Sequence, residues 1–493
     1  MNRPAAARAR KSRWTAGVRA ARWLLAWLLL AGARPGSASA QTLTLERVLD
    51  SVATQYPPYL IALLERDIAA GRLRQARGAF DLGFRATGSF SPTGFYDGND
   101  ADFVFDQPLP FWGGNVFAGY RISSGSLADY DKNRTQVDGE LRAGLRLNLL
   151  RDGPIDGRRA TLWKARLDQE IADPFIQRQR LDIVRTAMRA YYNWVAMGLR
   201  YDASESLLRI ARDRDDAIKI LVEQGQLATI VRTDNERLVV SRNLAVVQAR
   251  RRFEAASIEL SLFYRDESDQ PIPVVRMQVP ANLPAPVAPD EDRVGPDIQN
   301  AFTLRPELRR IRLVTERFAI DQRLARNNLL PNLDVTAGVS ENLGRGPYKD
   351  RQEMDTSIGF EFRVPLQRNE ARGRLETVTA ELERLEIDAQ FARDRIVAEI
   401  RDAWSAIKAA HEQIGQTVRN VELAVTLEDA ERKRFEQGAT DLLALQIREQ
   451  ATFDAHLLEV DARAEYFRAR ADYEAATAVK IREWTPMRAT RAR

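Results

Sequence analysis

Two stretches of this chain are too long to be helices of an ordinary globular protein. Near 158–222 and 372–435 the sequence carries helical apolar steps over about 64 residues each, roughly 95 Å at 1.5 Å per residue. A helix of that length needs neighbours along its course, so a coiled-coil-like bundle is implied, with Arg, Glu and Asp on the outer faces. Both stretches stop at the same word: Val222-Glu-Gln-Gly225 and Phe435-Glu-Gln-Gly438. The offset is 213 residues (438 − 225), and at that offset Ile183, Ala187, Tyr191 and Trp194 face Ile396, Ile400, Trp404 and Ile407. Steps of four, four and three mark one packed stripe of a helix.

The chain is therefore written twice. Gln270 to Pro296 holds seven of the 21 prolines, cannot be helical, and separates the copies. The segments from Thr44 and from Asp297 correspond as well, with Pro58 and Pro306 about a third of the way in. Such self-similarity indicates duplication of a unit of about 215 residues rather than a short solenoid repeat. The expected division is a first repeat over 41–269, a linker over 270–296, a second repeat over 297–480 and a basic tail over 481–493. Each repeat has one moderate helix (near 44–80 and 297–330), a strand region, the long helix, and a returning helix to about 265 or 480. Gly225 and Gly438 read as hairpin tips, because glycine ends a helix in a left-handed turn at no steric cost. Thr229 and either Thr440 or Asp441 are candidate caps for the returning helices.

Residues 1–40 read as a secretory signal peptide. Basic residues precede the apolar run Trp23–Ala33, and Ala38-Ser39-Ala40 offers a small-residue cleavage site. Those forty residues carry eight positive side chains and no acidic one, so the net charge of +5 becomes about −3 in the mature chain (5 − 8). A basic surface for nucleic acid is thus not expected. There is no cysteine, hence no disulfide framework and no cysteine-borne lipid anchor. After residue 40 no apolar run reaches the roughly eighteen residues of a membrane helix. Entry into a membrane would require strands.

Such strands are legible. Leu141, Ala143, Leu145, Leu147 and Leu149 alternate with Arg142, Gly144, Arg146 and Asn148; in the second repeat Ile358, Phe360, Phe362 and Val364 alternate with Gly359, Glu361 and Arg363. Leu333–Ser340 alternates apolar residues with Asp334, Thr336, Gly338 and Ser340, and Phe84–Phe90 alternates in the same way. Period two with one greasy and one wet face suits either an outer-membrane barrel or a soluble sheet packed on the bundle; export and the missing membrane helix favour the barrel. Four strands near 84–90, 141–149, 333–340 and 357–365 cannot close alone, so several chains must share one barrel, with Arg142, Arg146, Asn148, Asp334, Thr336, Glu361 and Arg363 toward its lumen. The fold class expected is mostly α with a small β part: duplicated coiled-coil helices plus amphipathic strands of a shared transmembrane β-barrel.

On these features the chain resembles the TolC-type outer-membrane efflux proteins (outer membrane factors), over nearly all the mature length. The resemblance rests on the duplication, the helix–strand–strand–long-helix order, Asn328-Leu-Leu-Pro-Asn-Leu333 entering a strand, and the Glu-Gln-Gly tips. It implies a homotrimer in the outer membrane of a Gram-negative bacterium, with four strands per chain in a twelve-stranded barrel and a helical tunnel across the periplasm. It also implies a periplasmic adaptor and an inner-membrane pump as partners, passing small toxic compounds, metal ions or, as an alternative, secreted protein. Glu223, Gln224, Gly225, Thr229, Glu436, Gln437, Gly438, Thr440 and Asp441 would contact the adaptor or line the mouth. The chain departs from its relatives six residues past each tip glycine, where Val231 and Ala444 replace the common acidic residue. The first repeat also has an aromatic-rich insert, Ser91–Gly139, read as local packing of a long hairpin or as an outer loop or plug; Asn115–Ile122 within it also alternates, which leaves the second strand of that repeat open.

Enzyme chemistry and a bound cofactor are not expected. His411 and His456 would lie roughly 13 Å apart across the second hairpin, too far to share a metal ion. No P-loop lysine or nucleophile set is present, and Asp152–Gly157 and Asp97–Asp102 lack the full calcium-ligand series, so both read as turns. A soluble periplasmic coiled-coil scaffold is the rival class.

Overall fold

The computed structural model describes residues 42–127, 134–346, 348 and 353–479. The signal-peptide and basic-tail assignments lie outside them. Helices α1 (Leu45–Gln55) and α2 (Pro57–Gly78) lead into strands β1 (Gly83–Ser91), β2 (Gly98–Pro108), β3 (Gly114–Gly125) and β4 (Glu140–Asn148). Helix α3 (Gly157–Glu223) then runs out and α4 (Thr229–Ser261) returns. The second half repeats the order with α5 (Val294–Leu304), α6 (Pro306–Asn327), β5 (Asn332–Asn342), β6 (Asp355–Arg363), α7 (Asn369–Glu436) and α8 (Leu442–Thr477).

The long helices hold 67 and 68 residues, about 100 Å each. Helix α3 continues through Pro174, whose missing N–H removes one bond of its ladder. Ahead of them, each expected single helix is two helices. Pro57 and Pro306 take the first helical position, and the residues before them, Tyr56 and Arg305, are forced into extended backbone (ψ 114 and 121), which breaks the rod.

The principal core forms where α1, α3, α4, α7, α8 and the linker meet. Ile183, Ala187, Tyr191 and Trp194 are all buried, and Tyr192 stacks on Phe467 at 4.7 Å. In the matching stripe Ile396, Ile400 and Ile407 are buried and Trp404 half-buried, against Tyr473. Though not wholly free of helix as expected, since its last residues from Val294 already open α5, the linker is a strap laid on this core. Val274 and Leu283 are buried in it, the Gln278 carbonyl accepts from the Leu43 N–H at 2.9 Å, and the Tyr466 hydroxyl both accepts from and donates to the Val287 backbone. Arg276 pairs with Asp202 at 2.5 Å and with Glu205, and lies over the Tyr201 ring.

All the strands form one antiparallel sheet in chain order, β1 to β6. Among the described residues it therefore has six strands rather than the four expected. The four alternating stretches are β1, β4, β5 and β6, and the insert contributes β2 and β3. Over 98–125 the insert is a long hairpin and not an outer loop or plug: Gly98–Asp106 pairs with β1 and Gly98–Pro108 with β3, which in turn pairs with β4.

Candidate functional site

The register assembles a two-faced wall. Phe84 lies beside Phe105, Phe105 beside Ala118, Ala118 beside Ala143, Ala143 beside Val339 and Val339 beside Thr356. Because side chains alternate, this row and those two residues above and below it lie on one face. That face gathers Phe84, Phe90, Phe103, Phe105, Val116, Ile122, Leu141, Val339, Ile358, Phe360 and Phe362, every one exposed; Ile358 and Phe360 stand 80% and 81% open. Monomeric soluble proteins rarely expose an apolar area this continuous, and such areas mark a protein or membrane contact. Among the described residues, no helix is long and apolar enough to cross a membrane.

The opposite face is polar. Arg142, Arg146, Asn148, Asp334, Thr336, Glu361 and Arg363 all stand on it: Arg146 is opposite Thr336, Asn148 opposite Asp334, and Asp334 opposite Glu361. The insert extends the same surface. Arg142 donates to Asp102 across Gly119, Arg121 lies 3.8 Å from Glu140, and Asn115 donates to Asp106. Arg363 donates to Glu361 along β6. Both outer strands, β1 and β6, are exposed at every residue, and among the described residues each has one unpaired edge. Unpaired edges are stable in lipid only if another strand completes them.

At the far end of the helices the two tips are built alike. Gly225 and Gly438 adopt φ +72 and +70. Gly225 donates to Val222 O and Gln226 to Leu221 O; Gly438 donates to Phe435 O and Ala439 to Arg434 O, all within 2.8–2.9 Å. This is the paired bonding of a Schellman stop, which requires the left-handed residue glycine supplies. Glu223, Gln224, Glu436, Gln437, Thr229 and Asp441 are exposed and Thr440 is half-buried. Asp441 caps α8, accepting from the Ala444 N–H at 2.8 Å. Thr229 and Thr440 do not cap. Thr229 is already the first residue of α4, behind Ala228, which has no side-chain acceptor, and Thr440 precedes the cap.

The two tips are tied together by charges not picked out in the sequence. Glu449 of α8 accepts from Arg214 of α3 and, at 3.3 Å, from Arg242 of α4, whose other nitrogen donates to Leu207 O at 3.1 Å. The Arg242 and Glu449 side chains are 4% and 2% exposed. Burial lowers the Arg242 guanidinium below its ordinary range, against the opposing pull of Glu449. Arg214 lies eleven residues before Gly225 and Glu449 eleven after Gly438, so the tie sits about 16 Å from the tips, and they lie at the same end. Sequence reading placed Arg and Glu on outer faces; only the partner hairpin buries them.

His411 meets the Tyr466 ring at 6.3 Å, and His456 faces Glu459 at 4.0 Å. Among the described residues no group of His, Asp and Glu is placed to hold a metal ion. Asp152–Gly157 is a corner. Asp156 accepts from the N–H of Arg159 at the start of α3, and the buried Arg159 side chain donates to the carbonyls of Asp152, Gly153 and Pro154.

Two long hairpins in tandem joined through one two-faced sheet define the fold of TolC-type outer-membrane efflux channels, the outer membrane factors. Solved structures bear this out. The Campylobacter jejuni CmeC outer membrane channel matches with a TM-score of 0.62 at 14% identity, over 89% of this chain and 88% of that one. The open-state Neisseria gonorrhoeae MtrE outer membrane channel gives 0.62 at 14% identity over 88% of each chain. The Vibrio cholerae outer membrane protein VceC gives 0.61 at 13% identity, over 88% of this chain and 95% of that one. No family model matches the sequence, and a comparison with curated proteins gave no match.

Proposed function

We propose that the chain is the outer-membrane exit duct of a tripartite efflux system, passively conducting small toxic compounds or metal ions. The observation that carries this reading is the sheet: one exposed apolar face across six strands, one polar face, and two unpaired edges. Lipid takes the first face and water the second. The edges are completed by further copies, and β6 of one copy meets β1 of the next antiparallel, since the strands alternate in direction from β1 up to β6 down. By analogy of fold the assembly is a homotrimer. Arg142, Arg146, Asn148, Asp334, Thr336, Glu361 and Arg363 line its lumen.

The helices, about 100 Å long, carry the tunnel into the periplasm, and the exposed tips around Gly225 and Gly438 offer contacts for a periplasmic adaptor linked to an inner-membrane pump. Energy comes from the pump, and the chain itself carries out no catalysis. The test is deletion and complementation. Loss of the chain is expected to raise cellular retention of an exported dye, restored by the wild-type protein recovered from outer membranes. Unchanged retention with the protein in the soluble periplasm would leave a coiled-coil scaffold as the function.

A further inference from the structure

The resemblance implied four strands per chain, whereas the sheet has six. Resting on the trimeric duct proposed above, we infer that the transmembrane wall is an eighteen-stranded barrel (3 × 6), with the β2–β3 hairpin as the element that sets its width. Four observations place the hairpin in the wall. Its strands have 11 and 12 residues, enough to span a bilayer as tilted strands, for which about 9–11 suffice. Its Phe103, Phe105, Val116 and Ile122 continue the exposed apolar face of β1 and β4. On the polar face Arg142 of β4 reaches Asp102 of β2, tying the hairpin to the strand beyond it. Its turn is fixed to the corner that caps α3. Gly113 donates to Gly153 O at 3.0 Å and accepts from the Asn148 N–H at 2.9 Å, so closely that a Cβ there would stand 1.8 Å from Asp152 O.

With strands ~4.7 Å apart and tilted ~40°, eighteen strands enclose a backbone diameter of about 35 Å, against about 24 Å for twelve. The cross-section is about twice as large. The outer-membrane section then discriminates poorly among small solutes, and selection falls to the helical mouth.

Removing two strands keeps the alternation of direction, so deletion of residues 98–125 leaves β1 free to pair with β4 with Phe84 beside Ala143, the faces unchanged. The full-length protein and this variant would be extracted from outer membranes and imaged end-on by electron microscopy. Neutral polymers of graded size, added from the outer side of planar bilayers, would report the width. The absence of native cysteine allows Thr87→Cys with Gly359→Cys to report β1–β6 closure between copies. Eighteen strands in the wild type, and admission of polymers at least about 1.5-fold larger in radius than the variant admits, are expected. A cross-linked trimer with twelve strands in its ring and the hairpin outside it would overturn the inference and leave the duct standing. If the variant does not assemble, the wild-type strand count still decides. No trimer in the outer membrane would remove both readings.

Discussion

Replacing Glu449 with alanine is expected to loosen the two helical hairpins from each other near the tips. Glu449 accepts from Arg214 and Arg242, and the Arg242 side chain is only 4% exposed. Removing one partner of a buried pair costs about 3–5 kcal/mol, mostly because the remaining charge has no compensation. Arg214, at 15% exposure, can turn toward water, and Arg242 keeps its bond to Leu207 O, so the lower end applies. About 3 kcal/mol is roughly a 150-fold shift in the local opening equilibrium. Hydrogen exchange in the assembled protein would read it as faster exchange around 207–242 and 442–452, with the core around Trp194 unchanged. The double variant Arg242→Met, Glu449→Leu should recover most of the protection, because an apolar pair carries no desolvation penalty. Unchanged exchange in Glu449→Ala, or a double variant as loose as the single one, would refute the tie.

Three other outcomes follow from the same structure. Gly438→Val places a β-branched residue at φ +70 and should cost about 1–2 kcal/mol at that tip, seen as faster proteolysis there with the melting of the core unchanged. Phe360→Arg should impair insertion by about 2–4 kcal/mol near mid-bilayer, while Thr336→Arg on the opposite face is tolerated; trimer yield from outer membranes compares them. Arg276→Ala should expose the linker to proteases at pH 7. Burial raises the Glu205 carboxyl, but hydrogen bonds from Tyr201 and Arg276 outweigh it, so its folded pKa lies below the unfolded value. Its contribution is present above the ordinary carboxylate pKa of about 4.3 and is lost as pH falls through the folded value. The difference between wild type and variant should therefore shrink below about pH 4; a constant difference from pH 7 to 3.5 would contradict it.

The parts legible in the sequence were those set by local periodicity. The stripe through Ile183, Ala187, Tyr191 and Trp194 needed only helical steps, and β4 and β6 needed only alternation. The β2–β3 hairpin was legible only in part: the alternation over Asn115–Ile122 lies in β3, whereas Phe103-Val104-Phe105 reads as a cluster because Val104 sits on the polar face. The missed breaks at Pro57 and Pro306 were signalled by the prolines themselves, each starting a helix instead of interrupting one. The tie at Glu449 was beyond local reading, since its Arg242 partner is 207 residues away. Charge marks a surface only until another element covers it.

The central claim is that the sheet is a share of a membrane barrel and not a soluble surface. Native mass spectrometry of the protein extracted with detergent from purified outer membranes tests it most directly. The account predicts a trimer, in which each exposed β1 and β6 edge finds the next copy. A monomer or dimer recovered from the soluble periplasm would contradict it.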